Sequence, residues 1–331
     1  MERVIATGYP RLHFSLVDMA GASNRMYGGF GISIKAFPIT VEAILGNDLT
    51  IETSGFIEEC TKQKVLQAIT NAQNRTLNTN CKLKIHSESK QHIGLGSSTQ
   101  IILTVLDAMS TLNHWNVSSL DIIDISGRGR TSMIGFSTHY YGGFCIDAGQ
   151  KYNPSAIYLP SHSPRERCPS LFIGNWDFPS NWFISLIGVE SPIAMDATKE
   201  DEFMRSNTPM EIQSGLEAIA DLYHGILPAI VSQDYLSFAI SLQHIQSVGW
   251  KAIELGLQSS STLNALNQLW KQNFVAGLSS FGPIVAVVHS IEYSDIVRNI
   301  AMDNGLSFSG PYSTIPKFYS MRPINPFIDT M

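Results

Sequence analysis

The chain has 331 residues, of which 44% are hydrophobic and only 15% charged, with a formal net charge of −6. This length buries a sizeable core in one large or two modest domains. The charge balance leaves no basic footprint for nucleic acid or an anionic membrane, so an anionic substrate has to be held by local arginines, backbone N–H groups or a metal.

Residues 1–55 read as β-rich. Short apolar or alternating runs at Val4–Thr7, Leu12–Val17, Ile32–Lys35 and Thr40–Leu45 are separated by turn residues such as Gly21, Gly28, Gly29 and Pro38. Glu58–Ala72 has helical spacing, with Val65, Leu66 and Ile69 on one side. Cys81–His86 alternates as a strand, Ile101–Met109 reads as a helix, Ser118 or Ser119 caps a short helix through Ile125, and Gly142–Asp147 is a further strand. Residues 152–181 lack periodicity and contain five prolines, which makes them the candidate connection between domains. Beyond it, Trp182–Val189 and Pro283–His289 read as strands. Pro209–Tyr223, Gln233–Gln246, Ser261–Gln272 and Ser294–Asn304 read as helices. An α+β fold class follows.

No run reaches the ~20 apolar residues of a membrane helix, and Met1–Thr7 has no apolar signal-peptide core. The expectation is a soluble cytoplasmic protein with no membrane or nucleic-acid partner. Cys60, Cys81, Cys145 and Cys168 share no C-x-x-C spacing, no His pair completes a zinc pattern, and they read as reduced, buried thiols.

The most telling stretch is Gln91–Gln100, Q-H-I-G-L-G-S-S-T-Q, between the Cys81 strand and the Ile101 helix. A glycine- and serine-rich turn opening a helix aims unpaired N–H groups and the positive end of the helix dipole at one spot. It is either a phosphate cradle or an ordinary tight turn. It is not a Walker A loop, because no Lys follows the second glycine.

The version H-I-G-L-G-S-S-T-Q resembles the β-ribofuranosylaminobenzene 5′-phosphate synthases, a branch of the GHMP kinase superfamily. Four other ordered segments carry the same resemblance. They are Arg11–Asp18 (RLHFSLVD), Arg25–Gly31 (RMYGGFG), Gly127–Gly135 (GRGRTSMIG) with Gly142–Gly149 (GGFCIDAG), and Gly277–Pro283 (GLSSFGP). The resemblance implies a two-domain GHMP-kinase-like fold. An N-terminal domain like ribosomal protein S5 domain 2, with the glycine loop, would cover 1–175, and a ferredoxin-like C-terminal domain 176–331. It also implies an activity: 4-aminobenzoate or 4-hydroxybenzoate is joined to phosphoribosyl pyrophosphate, carbon dioxide and pyrophosphate leave, and a C-glycoside of tetrahydromethanopterin synthesis forms. A homodimer is a further implication, since superfamily members are often dimers.

Such a reaction needs a neutralised diphosphate, a stabilised oxocarbenium-like sugar and a positioned benzoate. Mg²⁺ would come with the diphosphate substrate, needing only one or two carboxylates from the protein; no pyridoxal phosphate is implied, and the metal ligands stay open. Gly94, Gly96, Ser97, Ser98 and Thr99 hold one phosphate group. Arg128 and Arg130 either clamp a second phosphate or carboxylate or sit on a solvated turn. Arg11 and His13 alternate on one strand and so share a face, with Arg25 in a glycine-rich turn; this is either an anion site or an edge strand with solvated ends. His13 and His92 are acid–base candidates near neutral pH. Asp18 and Asp147 are the preferred carboxylates, against readings as turn or cap residues. Ser279 and Ser280 either close the pocket from the second domain or simply form a turn. The catalytic candidates are therefore His13, Asp18, Arg128 and Asp147.

The rival reading is an ATP-dependent small-molecule kinase. Superfamily kinases place an aspartate base after the phosphate loop, and Gly127–Gly135 holds neither Asp nor Glu. The third reading is a ligand-binding protein without catalysis.

Overall fold

The computed structural model describes residues 2–155, 157–160, 168–189, 197–318 and 328–330. In chain order the first half runs β1 (Arg3–Gly8), β2 (Arg11–Asp18), β3 (Arg25–Ser33), β4 (Ile39–Leu45), β5 (Thr50–Gly55), α1 (Glu59–Gln73), β6 (Cys81–Ser87), α2 (Ser97–Leu112), α3 (Ser119–Ser126), α4 (Ile134–Tyr141), β7 (Phe144–Asp147), β8 (Gln150–Lys151) and β9 (Phe172–Trp176). The second half continues with β10 (Phe183–Gly188), α5 (Ala197–Ser206), α6 (Ile212–Ala220), a π-helical turn at Asp221–Ile226, α7 (Leu227–Ser232), α8 (Tyr235–Ser247), α9 (Gly249–Leu255), α10 (Ser260–Lys271), β11 (Val275–Leu278), β12 (Val285–His289), α11 (Ser294–Asp303), β13 (Ser307–Tyr312) and β14 (Ile328–Thr330).

Three sheets organise these elements. The first has the order β14-β1-β4-β6-β5. β4 and β6 alternate buried and less buried positions, and their inner face packs on α1, α2 and α3 around Val41, Leu83, Ile101 and Leu106. One solvated face with strict alternation is the expected sequence signature of such a sheet. The second sheet, β2-β3-β7-β9 with β8 on β3, lies between α4 and the helices of the second half. Its strands therefore bury nearly every residue and lack alternation. Phe14, Phe30 and Phe144 from this sheet share one core with Phe238, Leu242 and Val288 of the second half. The third sheet, β11-β12-β10-β13, is covered by α10 and α11.

Gly28 and Gly29, expected in a turn, lie inside β3. Their lack of a side chain serves close packing: a Cβ on Gly29 would sit 2.5 Å from His13 Nε2, and one on Gly31 would sit 2.1 Å from the Leu12 carbonyl oxygen. The proline-rich stretch 152–181 contributes β9 to the second sheet; its residues 156 and 161–167 lie outside the described residues. Cys81 and Cys145 are buried as expected, but Cys60 and Cys168 are exposed. Cys60 sits in the first turn of α1, on its solvent side. Among the described residues no helix is long and apolar enough to cross a membrane.

Candidate active site

The glycine turn closes against a loop from the other half of the chain. α2 starts from Gly96, whose φ of 68° is left-handed, and Gly94 is likewise at φ 96°. A Cβ on Gly94 would meet the Ser279 carbonyl oxygen at 2.2 Å, and a Cβ on Gly282 would meet Ile93 at 2.2 Å. Only glycine fits both positions. Ser279 Oγ donates to the Gly94 carbonyl (2.8 Å) and accepts from the His13 N–H (3.1 Å). Arg11 Nη1 donates to the same Gly94 carbonyl at 2.9 Å. Ser97 Oγ donates back to the Lys90 carbonyl (2.7 Å), and Ser98 Oγ pairs with Thr61 (2.8 Å). These two hydroxyls shape the turn, and the positive end of the 16-residue α2 opens between them.

A cleft in two joined chambers follows this junction. The outer chamber, about 540 Å³, is lined by Arg11, His92, Gly94, Gly96, Ser97, Ser98, Thr99 and the Ser280–Pro283 loop, together with Ser259, which caps α10, and Thr262. The inner chamber, about 100 Å³, is lined by Arg11, His13, Arg128, Ser132 and Glu254 together with Leu16, Phe136, Met204 and Phe281. Arg11, Thr99, Glu200, Ser280 and Phe281 border both.

The electrostatics of the inner chamber are set by burial. Arg128 is 9% exposed, and its Nε has no hydrogen-bond partner among the described residues. Burial and the nearby Arg130 charge pull its guanidinium down to about 10, and burial does the same to Arg11. Both remain cations at neutral pH. Burial, followed by the charges of Arg11 and Lys251, holds His13 well below 6.5, so the imidazole is neutral. Its Nε2 lies 3.3 Å from Ser132 Oγ, which donates to Asp147 Oδ2 at 2.9 Å. Ser132 therefore accepts from His13 Nε2–H, leaving Nδ1 as the unprotonated ring nitrogen. Asp147 also accepts from the Met133 and Gly149 N–H groups. Burial nevertheless outweighs these donors and pushes its carboxyl up to about 7.

The opposite wall is acidic. Glu254 is buried and paired with buried Lys251, whose Nζ also donates to the Ser280 carbonyl at 2.9 Å. Burial and then Glu254's charge raise Glu200 to about 7. These two carboxyls are the acidic groups that border the chambers.

The structure thus brings Arg11, His13, Arg128, Ser280 and the turn residues His92, Gly94, Gly96, Ser97, Ser98 and Thr99 into one cleft. Asp147 stands behind it, linked through Ser132. Asp18 lines neither chamber: its carboxylate accepts from the N–H groups of Ala20, Ala22 and Ser23 and closes the β2–β3 loop. Arg25, at the start of β3, gives Nε and Nη2 to the Ala148 and Gly149 carbonyls. Arg130 lines neither chamber, and its charge adds to the burial that lowers Arg128. Ser279 is fully buried, and its hydroxyl is used within the fold. Sequence reasoning missed Ser132, Glu200, Lys251 and Glu254. Ser132 stood in the GRGRTSMIG segment beside the arginines, whereas the other three carried no motif.

Comparison with known proteins fits this geometry. The profile of the GHMP kinases N terminal domain matches residues 63–142. The β-ribofuranosylphenol 5′-phosphate synthase of Methanocaldococcus jannaschii is 30% identical over 290 residues, 83% of this chain and 86% of that protein. The chain belongs to this synthase family. The synthase of the same name from Methanothermobacter thermautotrophicus is 28% identical over 297 residues, 88% of this chain and 90% of its own. Among solved structures, Streptococcus pneumoniae phosphomevalonate kinase superposes with a TM-score of 0.70 at 11% identity, covering 95% of this chain and 100% of that one. Staphylococcus aureus mevalonate diphosphate decarboxylase gives 0.67 at 12% identity, covering 100% and 98%. This family member therefore has the α+β GHMP-kinase fold and is an enzyme of the transferase class; the structural likeness speaks to the fold alone.

Proposed function

We propose that the enzyme transfers the phosphoribosyl group of phosphoribosyl pyrophosphate to the ring carbon of 4-hydroxybenzoate that bears its carboxylate, releasing pyrophosphate and carbon dioxide. The observation that carries this reading is the joined cleft. A large chamber with backbone N–H and hydroxyl groups at the start of α2 suits a diphosphate, and it adjoins a small chamber with Phe136 and Phe281 that holds Arg128, whose Nε has no partner among the described residues. The relatives are named for a ribofuranosylphenol 5′-phosphate, a product with a ring hydroxyl and no amine. This favours 4-hydroxybenzoate over 4-aminobenzoate.

In this reading the diphosphate lies on the α2 amides and Arg11. The aromatic ring lies beside Phe136 and Phe281, with its hydroxyl at the deep end because its carboxylate-bearing carbon has to reach the sugar. Neutral His13 takes the hydroxyl proton, and the Arg128 guanidinium stabilises the phenoxide. The ring carbon opposite is then richest in electrons. It gives a pair to sugar C1 as the C1–O bond breaks and its electrons leave with pyrophosphate. The bond to the carboxylate breaks next, its pair restores the aromatic ring, and carbon dioxide departs. His13 returns the proton to the phenoxide. The glycine turn and the apolar walls exclude water that would capture C1.

Glu200 and Glu254 would hold Mg²⁺: both are oxygen donors on the chamber wall, and a cation would offset the Glu254 charge that adds to burial in raising Glu200. When bound, it neutralises charge on the diphosphate. The test is a product assay with Mg²⁺, phosphoribosyl pyrophosphate and each aromatic acid. Equimolar pyrophosphate and carbon dioxide, faster with 4-hydroxybenzoate, support the reading. ADP formed from ATP with neither product would overturn it in favour of a kinase.

A further inference from the structure

The glycine turn carries a second cluster on its outer side, at the rim of the outer chamber. Glu58 precedes α1, Cys60 lies in its first turn, and His92 opens the glycine turn, 32 residues away from Cys60. His92 Nε2 lies 3.2 Å from Glu58 Oε2 and 3.8 Å from Cys60 Sγ, and Cys60 Sγ lies 3.8 Å from Glu58 Oε2. All three residues are exposed, and their donor atoms lie within 4.8 Å of one another.

We propose that Glu58, Cys60 and His92 form a binding site for a borderline first-row divalent cation of the zinc class. Zinc bonds of about 2.0–2.3 Å to oxygen, nitrogen and sulfur set ligand–ligand edges of roughly 3.3–3.6 Å in a tetrahedron. The three observed separations describe one face of that tetrahedron to within a few tenths of an ångström. The donor set decides the metal class. A thiolate and an imidazole beside one carboxylate disfavour Mg²⁺ and Ca²⁺, which take oxygen, and favour zinc and its neighbours.

The supporting segments are already cross-linked. Buried Thr61 donates to Gln91 Oε1 at 2.7 Å, Gln91 Nε2 donates to the Phe56 carbonyl at 3.1 Å, and Thr61 pairs with Ser98. Residues on either side of the donors are therefore fixed to each other before any cation arrives, which is the preorganisation a three-ligand site requires. Three protein ligands leave a fourth position for water or an anion. Because His92 lines the outer chamber, a cation held here stands at its rim.

The experiment is a titration of the metal-stripped full chain with Co²⁺. The expected result is one Co²⁺ per chain, with thiolate-to-cobalt charge-transfer absorption, intense tetrahedral d–d bands and displacement of both by Zn²⁺. Cys60→Ser removes the charge-transfer band and His92→Gln weakens binding at least tenfold, while Cys168→Ser, the other exposed cysteine, leaves both unchanged. A wild-type chain that shows no thiolate band, or a band that survives Cys60→Ser, overturns the proposal. The readout is spectroscopic and does not depend on turnover, so it stands apart from the assay of the synthase reaction.

Discussion

An arginine buried with an unpartnered Nε is a cost that the empty protein bears and an anionic ligand relieves. Water is lost from Arg128 on folding, and Arg130's charge adds repulsion. Arg128→Met is therefore expected to raise the melting temperature of the unliganded protein, by a few °C for each 1–2 kcal/mol recovered, and to abolish measurable turnover. Differential scanning fluorimetry beside the product assay reads both; a lower melting temperature would show that Arg128 is compensated in the fold. His13 is argued to act on the proton alone. His13→Gln should then lower kcat by about 10²–10⁴-fold with little change in KM for phosphoribosyl pyrophosphate, as read in steady-state kinetics. Glu200 gives a pH signature. Its folded carboxyl is raised to about 7 from 4.5, so the folded chain holds a proton that the unfolded chain has lost. Its contribution to stability is full below pH 4.5 and is lost as pH rises through 7. Between pH 5 and 8 the melting temperature should fall less steeply in Glu200→Gln than in the wild type.

At the scale of elements, α3 delivers the chain to Arg128 and is fixed at both ends. Ser118 and Asp121 form a reciprocal capping box, Arg75 just past α1 bridges Asp121 and Asp124, and Gly127 closes the helix in the left-handed region. Ser118→Ala is expected to cost about 1 kcal/mol in urea unfolding without changing the rate of product formation. α2 and α4 are joined by a buried network. Gln100 reaches the Gly135 carbonyl and His139, and His139 and Tyr140 both reach Asp107. The Gln that ends the glycine motif thus orients the helix that follows Ser132.

Elements with period and punctuation were legible in the sequence. The alternation of Cys81–His86 and the shared face of Arg11 and His13 came directly from a period of two. The second sheet was harder to read, because packing on both faces erases alternation and glycines placed for close approach imitate a turn. Lys251 and Glu254 were hidden for another reason. A Lys and a Glu three apart on a helix read as a solvated pair, and only the fold turns that face onto the Ser280 loop. The Cys60–His92 pairing was likewise invisible, because no local spacing joins residues brought together by a strand between them.

For the whole molecule, the cleft belongs to neither half. The glycine turn comes from the first half and its lock, Ser279 to Pro283, from the second, while Gln246 ties the Phe14 carbonyl to the Leu278 N–H. Gly282→Ala inserts a methyl group where Ile93 stands 2.2 Å away. It should displace the turn and raise KM for phosphoribosyl pyrophosphate at least tenfold, whereas kcat at saturation changes less. An unchanged KM would show that the turn does not hold the diphosphate.

The bond from Ser279 to Gly94 spans 185 residues of chain, and this distance orders events during synthesis. While a ribosome is still adding the second half, the Gly94 carbonyl has Arg11 as a donor but not yet Ser279, and the Ser279–Pro283 wall is missing. The nascent first half has no finished cradle with which to capture abundant cellular phosphates. Capture begins only once the last wall arrives, and substrate then stabilises the completed protein in preference to every shorter folding intermediate.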